Sequence, residues 1–274
     1  MSHKITFRER GQGPILILLH GYGGSVHHWE GVASQLESQY RVIIPNLSHV
    51  YMSSDKLLFT VQVEVLARFI QEHFPNERVH LAGLSYGGAL SWGLATQHPH
   101  LVHKMALINP MVTDPVKNFL PKELRFFFSI PLNLKSIYLM LSTPMGASFL
   151  KRAAQIFRDE RSEGAVSVEH LKGRKLQFVA HMIHHFSWIL RSEDWQFWNK
   201  KLFKYRGDCR LIFDESDLLF NQDAYKKFAQ HLGCEDMIVL QGAGHLAIKS
   251  QPEIVAQHLG EFLHVAAPFE RAAK

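Results

Sequence analysis

Short apolar runs rich in Val, Ile and Leu alternate with longer segments of helical periodicity, and this alternation constrains the chain more than any other feature. In the first 110 residues the runs are Ile15–Leu19, Arg41–Ile44, Val79–Ala82 and Lys104–Ile108. Runs with consecutive apolar centres are those of strands buried on both faces, as in a parallel sheet covered by helices. Between them, Thr60–Phe74 places Val61, Val65, Leu66, Phe69 and Ile70 at helical spacing, opens with a capping-type Thr60 and stops at Pro75. After residue 208 the pattern resumes: strand Cys209–Phe213, helix Gln222–Leu232, strand Met237–Leu240 and a closing helix Pro252–Leu263. An early strand, Ile5–Glu9, precedes the turn Gly11-Gln12-Gly13-Pro14. The expected fold class is α/β, a mostly parallel sheet flanked by helices.

Residues 111–205 interrupt the alternation with apolar helical pieces broken by Pro121, Pro131, Pro144, Gly146 and Gly173. They read as a helical insertion, so that 1–110 and 206–274 form one discontinuous core domain. The insertion carries 15 Lys or Arg against 8 Asp or Glu, a formal +7 that leaves −2 for the rest of the chain. The whole chain, at +5 with a pI near 9.1, is too diffusely basic to indicate nucleic acid. With 46% hydrophobic residues over 274 positions, it has the apolar content for a large core and is excluded from the disordered class. No run of about 18 apolar residues occurs, and the N-terminus is too polar for a signal peptide. Cys209 and Cys234 make no disulfide scaffold and no C-x-x-C pair. A soluble protein of the reducing cytoplasm is expected, with both thiols free.

Gly83-Leu84-Ser85-Tyr86-Gly87 fits G-x-S-x-G, in which a sharp strand-to-helix turn lifts a serine hydroxyl out of the sheet. The motif alone is weak, but here it follows a strand and opens a helix at Gly88–Gln97, whose N-terminus offers free backbone N–H groups. His20-Gly21-Tyr22-Gly23-Gly24 ends the first long strand, where glycines let backbone approach a bound oxygen; the N–H groups of Tyr22 and Tyr86 would form an oxyanion hole. Gly242-Ala243-Gly244-His245 follows the last strand. In the chain order Ser, Asp, His the natural carboxylate is Asp217, with Asp214 a competitor three residues earlier.

These motifs, in this order and each at a strand's C-terminal end, resemble those of the α/β-hydrolase superfamily from about Gly13 to Leu263. The resemblance implies an eight-stranded sheet with a helical cap domain inserted after the sixth strand, where residues 111–205 fall. It implies Ser85 as nucleophile, His245 as base, Asp217 as its orienter and Tyr22 and Tyr86 as oxyanion donors. The chain departs from the family in three places. The family usually has Asp and then a Gly-x-Gly turn after the Arg41–Ile44 strand, whereas Asn46 to Ser53 places His49 and Tyr51 at the glycine positions, so this loop must take another path. Asp214 stands where Gly is frequent. Only about 20 residues precede His20, so the first strand is expected to be short or missing.

Other residues have a plain reading beside a sharp one. His20 reads as a structural brace and His49 as a surface residue. His181, His184 and His185 have metal-ligand spacing, but no carboxylate or Cys completes a set, which favours a solvated or pocket-lining face. Phe126, Phe127, Phe128, Trp188, Trp195 and Trp198 line an acyl pocket or simply pack the insertion; Phe127, Phe128 and Trp188 are the pocket candidates. The expected activity is hydrolysis of a carboxylic ester or thioester of an apolar acyl group, with no metal and no organic cofactor. The same residues would suit carbon–carbon bond hydrolases, perhydrolases and acyltransferases, and a ligand-binding protein on a retired hydrolase fold is the alternative of another class. The basic insertion would suit an acidic carrier protein or an anionic lipid surface.

Overall fold

The computed structural model describes residues 5–52, 57–112, 133–156, 173–201 and 205–264. Among these, β1 (Phe7–Arg10), β2 (Ile15–Leu19), β3 (Arg41–Pro45), β4 (Val79–Leu84), β5 (Val102–Ile108), β6 (Asp208–Asp214) and β7 (Asp236–Leu240) form one sheet in the order β1-β3-β2-β4-β5-β6-β7. β1 is antiparallel to β3 and every other neighbouring pair is parallel. The expected mostly parallel sheet is therefore present, with seven strands rather than eight among the described residues. Among the described residues one strand, the antiparallel β1, precedes Ile15, so the helical insertion follows the fifth strand in chain order, not the sixth.

Period-two alternation sorts each strand between two layers. Ile15, Ile17 and Leu19 of β2 face one core, which is closed by α3 (Phe59–His73), α4 (Tyr86–Gln97) and, from late in the chain, α9 (Gln222–Leu232). Leu16 and Leu18 face the other, closed by α1 (Glu30–Leu36) and α11 (Pro252–Leu263). All five β2 residues are buried, and each such side chain contributes ~1.5–3 kcal/mol of transfer free energy. Two single-turn helices, α2 (Ser48–Tyr51) and α10 (Ala247–Ser250), lie in loops.

Between β5 and β6 come α5 (Leu134–Leu141), α6 (Pro144–Ile156), α7 (Arg174–Arg191) and α8 (Glu193–Lys201). Ile137, Leu141, Leu150, Leu176 and Ala180 give α5, α6 and α7 a small core of their own, whereas Trp195 of α8 joins the main core. Thr60 is not the cap of α3: the helix begins at Phe59, and its first turn is held from the insertion, where Asp194 Oδ2 accepts from Thr60 N at 2.9 Å and Oδ1 accepts from the Thr60 hydroxyl. No described helix is long and apolar enough to cross a membrane.

Candidate active site

β2 and β4 are parallel neighbours, the last residue of β2, Leu19, standing opposite Gly83, the penultimate residue of β4, although the chain leaves them for opposite halves of the sheet. Loops after such a pair converge on one crevice. Ser85 follows β4 at φ 53° and ψ −121°, a left-handed conformation that a non-glycine residue adopts only when its surroundings enforce it. Enforcement comes from both sides: Ser85 N donates to Ile108 O at 3.1 Å, and Ser85 O accepts from Met111 N at 2.9 Å and Ala89 N at 3.1 Å. Gly87 lies so close to β2 that a Cβ there would stand 2.4 Å from Leu19 O, which explains the last glycine of the motif. A Cβ on Gly21 would meet that of Ser85 at 3.1 Å, so the loop after β2 passes directly over the serine. The N–H groups of Tyr22 and Tyr86 donate to no protein acceptor among the described residues.

The candidate acid and base lie on the loops after β6 and β7. His245 Nδ1 donates to Asp217 Oδ2 at 2.8 Å, with side chains 2% and 0% exposed. Since a carboxylate only accepts, this bond places the imidazole proton on Nδ1 and leaves Nε2 free to take another. Burial would raise the Asp217 carboxyl, but it is held below the ordinary carboxylate value by His245 beside it, the Tyr225 hydroxyl at 2.5 Å and Leu219 N–H at 2.7 Å. Asp214, the other candidate, is fully buried at the end of β6 and its carboxylate is occupied by backbone. Oδ2 accepts from Ala243 N at 2.7 Å and Oδ1 from Ser216 N at 2.8 Å and from the Ser216 hydroxyl. It shapes the loops that carry Asp217 and His245 and has no hydrogen bond to the imidazole. No hydrogen bond joins Ser85 Oγ to His245 among the described residues; in unliganded enzymes this contact commonly tightens only with substrate.

A buried carboxylate–imidazole pair and a strained serine thus follow strands at the C-terminal edge of one parallel sheet. A model of the alpha/beta hydrolase fold matches residues 14–252. The chain belongs to this family. A pimeloyl-[acyl-carrier protein] methyl ester esterase of Aeromonas hydrophila is 34% identical over 129 residues, 45% of this chain and 50% of that protein, so the chain spans about half the length of this curated relative. Two solved structures share the fold at lower identity. A bacterial membrane phospholipase A has a TM-score of 0.68 at 22% identity, covering 94% of this chain and 82% of that one. Potato epoxide hydrolase I (Solanum tuberosum) has the same score at 18% identity, covering 94% and 95%. Structures named for different chemistries on one fold leave the reaction to be argued from the residues.

In this α/β hydrolase family member Asn109 is a site residue that sequence reasoning missed. It follows β5 at φ 38°, is fully buried, and its Nδ2 donates to the carbonyls of Gly244 and His245, both at 2.9 Å. Its Oδ1 accepts from Asp214 N at 2.8 Å. One amide thus ties the histidine loop to the end of β6, one residue beyond the carbonyl that holds Ser85. An Asn at a strand end before Pro110 was the available signal, but nothing local marks what it will reach.

Of the aromatic pocket candidates, Phe127 and Phe128 lie outside the described residues, as does Phe126. Trp188 is half-buried against the core cluster that includes Tyr86. From α7, Phe186 and Met182 reach the loop after β2, the Phe186 ring 4.6 Å from that of Tyr22 and the Met182 carbonyl accepting from the Tyr22 hydroxyl at 3.2 Å. Trp195 is buried against Phe59 at 5.2 Å, and His49 is exposed on α2. His181 stacks on His185 at 4.7 Å, and no group of three metal-ligating side chains exists among the described residues. Cys209 and Cys234 are buried free thiols, the Cys234 thiol donating to Cys209 O at 3.1 Å.

Proposed function

We propose that this chain hydrolyses a carboxylic ester or thioester of an apolar acyl group through an acyl-enzyme on Ser85. The observation that carries the reading is the buried His245–Asp217 pair together with a serine held at φ 53° after β4. His245 Nε2 takes the hydroxyl proton as Ser85 Oγ attacks the acyl carbonyl, and Asp217 stabilises the imidazolium and fixes its tautomer. The carbonyl oxygen, now negative, is held by Tyr22 and Tyr86 N–H; one such donor is worth ~3–4 kcal/mol. Collapse expels the alcohol or thiol with the proton from His245. Water then attacks the acyl-enzyme, gives its proton to His245, and the carboxylic acid leaves as Ser85 recovers its hydrogen.

Residues 111–205 are assigned as a cap domain over this site, the remainder as the core. Their +7 charge, together with a relative named for an acyl-carrier-protein ester, supports an acidic acyl carrier as the bearer of the substrate. A series of p-nitrophenyl esters of increasing chain length tests activity and pocket depth together. Ser85→Ala should reduce turnover by at least about 10³-fold in a folded protein. Retention of more than about a tenth of wild-type activity would remove Ser85 from the mechanism.

A further inference from the structure

The loop after β3 departs from the glycine turn of the family, and what replaces it is informative. The chain from Leu47 folds into the single turn α2 and carries Tyr51, 2% exposed, beneath the oxyanion loop. Its hydroxyl donates to His20 O at 2.6 Å. Its ring stands edge-on to His20 at 5.4 Å, lies nearly parallel to Tyr22 at 5.8 Å and meets Tyr86 edge-on at 5.1 Å. One side chain therefore touches the rings of both residues whose backbone N–H groups form the proposed oxyanion hole, and anchors the carbonyl that leads into it.

From these contacts we infer that Tyr51 is a positioning residue for the oxyanion hole, its hydroxyl holding the His20–Gly21 peptide and its ring setting the spacing between Tyr22 and Tyr86. This rests on the hydrolase reading above. The geometry follows from peptide planarity. The Tyr22 N–H belongs to the Gly21–Tyr22 peptide, and in a trans peptide it points opposite to Gly21 O. That oxygen accepts from His20 Nδ1 at 2.9 Å and Gly24 N at 3.0 Å. His20 Nε2 in turn accepts from Leu47 N at 3.1 Å, so Nδ1 carries the proton. The orientation of Tyr22 N–H thus depends on where the His20 main chain and ring sit, and the Tyr51 hydroxyl fixes the main chain. On its far side the His20 carbonyl abuts Gly87, where a Cβ would stand 2.6 Å away, so the carbonyl is wedged between Tyr51 and the serine turn. Burial, and secondarily the Tyr86 phenol beside it, pushes the Tyr51 hydroxyl well above its ordinary value, so it remains a proton donor throughout the working range.

Tyr51→Phe removes the hydroxyl and keeps the ring; Tyr51→Met removes both and leaves an apolar side chain. Each is compared with wild type for kcat and KM on a p-nitrophenyl ester, for inhibition by a trifluoromethyl ketone and for the rate of labelling by a fluorophosphonate. A displaced oxyanion donor weakens the transition state and spares the ground state. Tyr51→Phe should therefore lower kcat by roughly 10- to 100-fold with KM within about threefold, and raise the ketone Ki by the same factor as kcat/KM falls. Tyr51→Met should lose at least as much. A lower melting temperature with unchanged kcat and Ki would show a merely structural tyrosine and overturn the inference. Wild-type protein that Ser85→Ala leaves equally labelled, or that is not labelled at all, would overturn the hydrolase reading itself and Tyr51's role with it.

Discussion

Two carboxylates three residues apart compete for the imidazole in the sequence, and their difference emerges only when the end of β6 is known. The strand runs to Asp214, burying it against the following loop, and Asp217 is the residue that turns back to His245. The two should fail differently. Asp217→Asn is expected to lower kcat by about 10⁴-fold with the fold intact, because the amide favours the wrong tautomer. Asp214→Asn leaves one of Ala243 N, Ser216 N and the Ser216 hydroxyl without an acceptor, and should cost ~1–3 kcal/mol of stability with a far smaller loss of kcat. Parallel urea melts and initial rates read both effects, and a reversed ranking in kcat would move the acid to Asp214. The serine turn and the glycines around it were legible because their chemistry is local: a φ of 53° and a 2.4 Å approach demand particular residues at particular offsets. Asn109 and Tyr51 were not, since each acts on a loop distant in sequence, Asn109 on carbonyls 135 and 136 positions away and Tyr51 on one 31 away.

At the level of elements, strand centres and the last two long helices follow from periodicity, and α9 and α11 begin and end where their apolar spacing and flanking residues place them. The first turn of α3 shows the limit of that reasoning. Its cap is Asp194, 134 residues further on, so a propensity rule applied to Thr60 finds the right helix for the wrong reason. The same contact fastens α8 to the core, beside the burial of Trp195 against Phe59, while Tyr22 fastens α7 through Met182 O. Asp194→Ala removes both bonds to Thr60 and should cost about 1 kcal/mol, as loss of a helix cap does. Limited proteolysis should then cut within residues 133–201 before the sheet, at a rate several-fold above wild type. An unchanged cleavage rate would mean that this clasp contributes nothing to holding the insertion.

At the scale of the whole molecule, burial holds two histidines, His20 and His80, toward the neutral form. Burial lowers His20 to about 4, the Gly21 bond opposing and nearby His28 adding to it. Burial, with His103 and Lys104 alongside, lowers His80 to about 4. Both values lie below the ~6.5 of an unfolded chain, so between these limits the unfolded state binds more protons than the folded one. Their contribution is complete above pH ~6.5 and is lost as pH falls toward 4, at about 3 kcal/mol for each histidine. Unfolding free energy measured by urea from pH 8 to 5 should therefore decline steeply below 6.5, and His80→Phe should make that decline shallower. Equal stability at pH 7 and 5 would show that both rings are protonated without penalty.

These scales meet in the chemistry of one serine. Wild-type protein mixed with p-nitrophenyl butyrate, quenched in acid during the first turnover and digested, gives the most direct test by mass spectrometry. A butyryl group is expected on the peptide containing Ser85, close to one per chain at the burst, and none in Ser85→Ala. Turnover with no acyl-peptide, or acylation of another side chain at comparable yield, would contradict it.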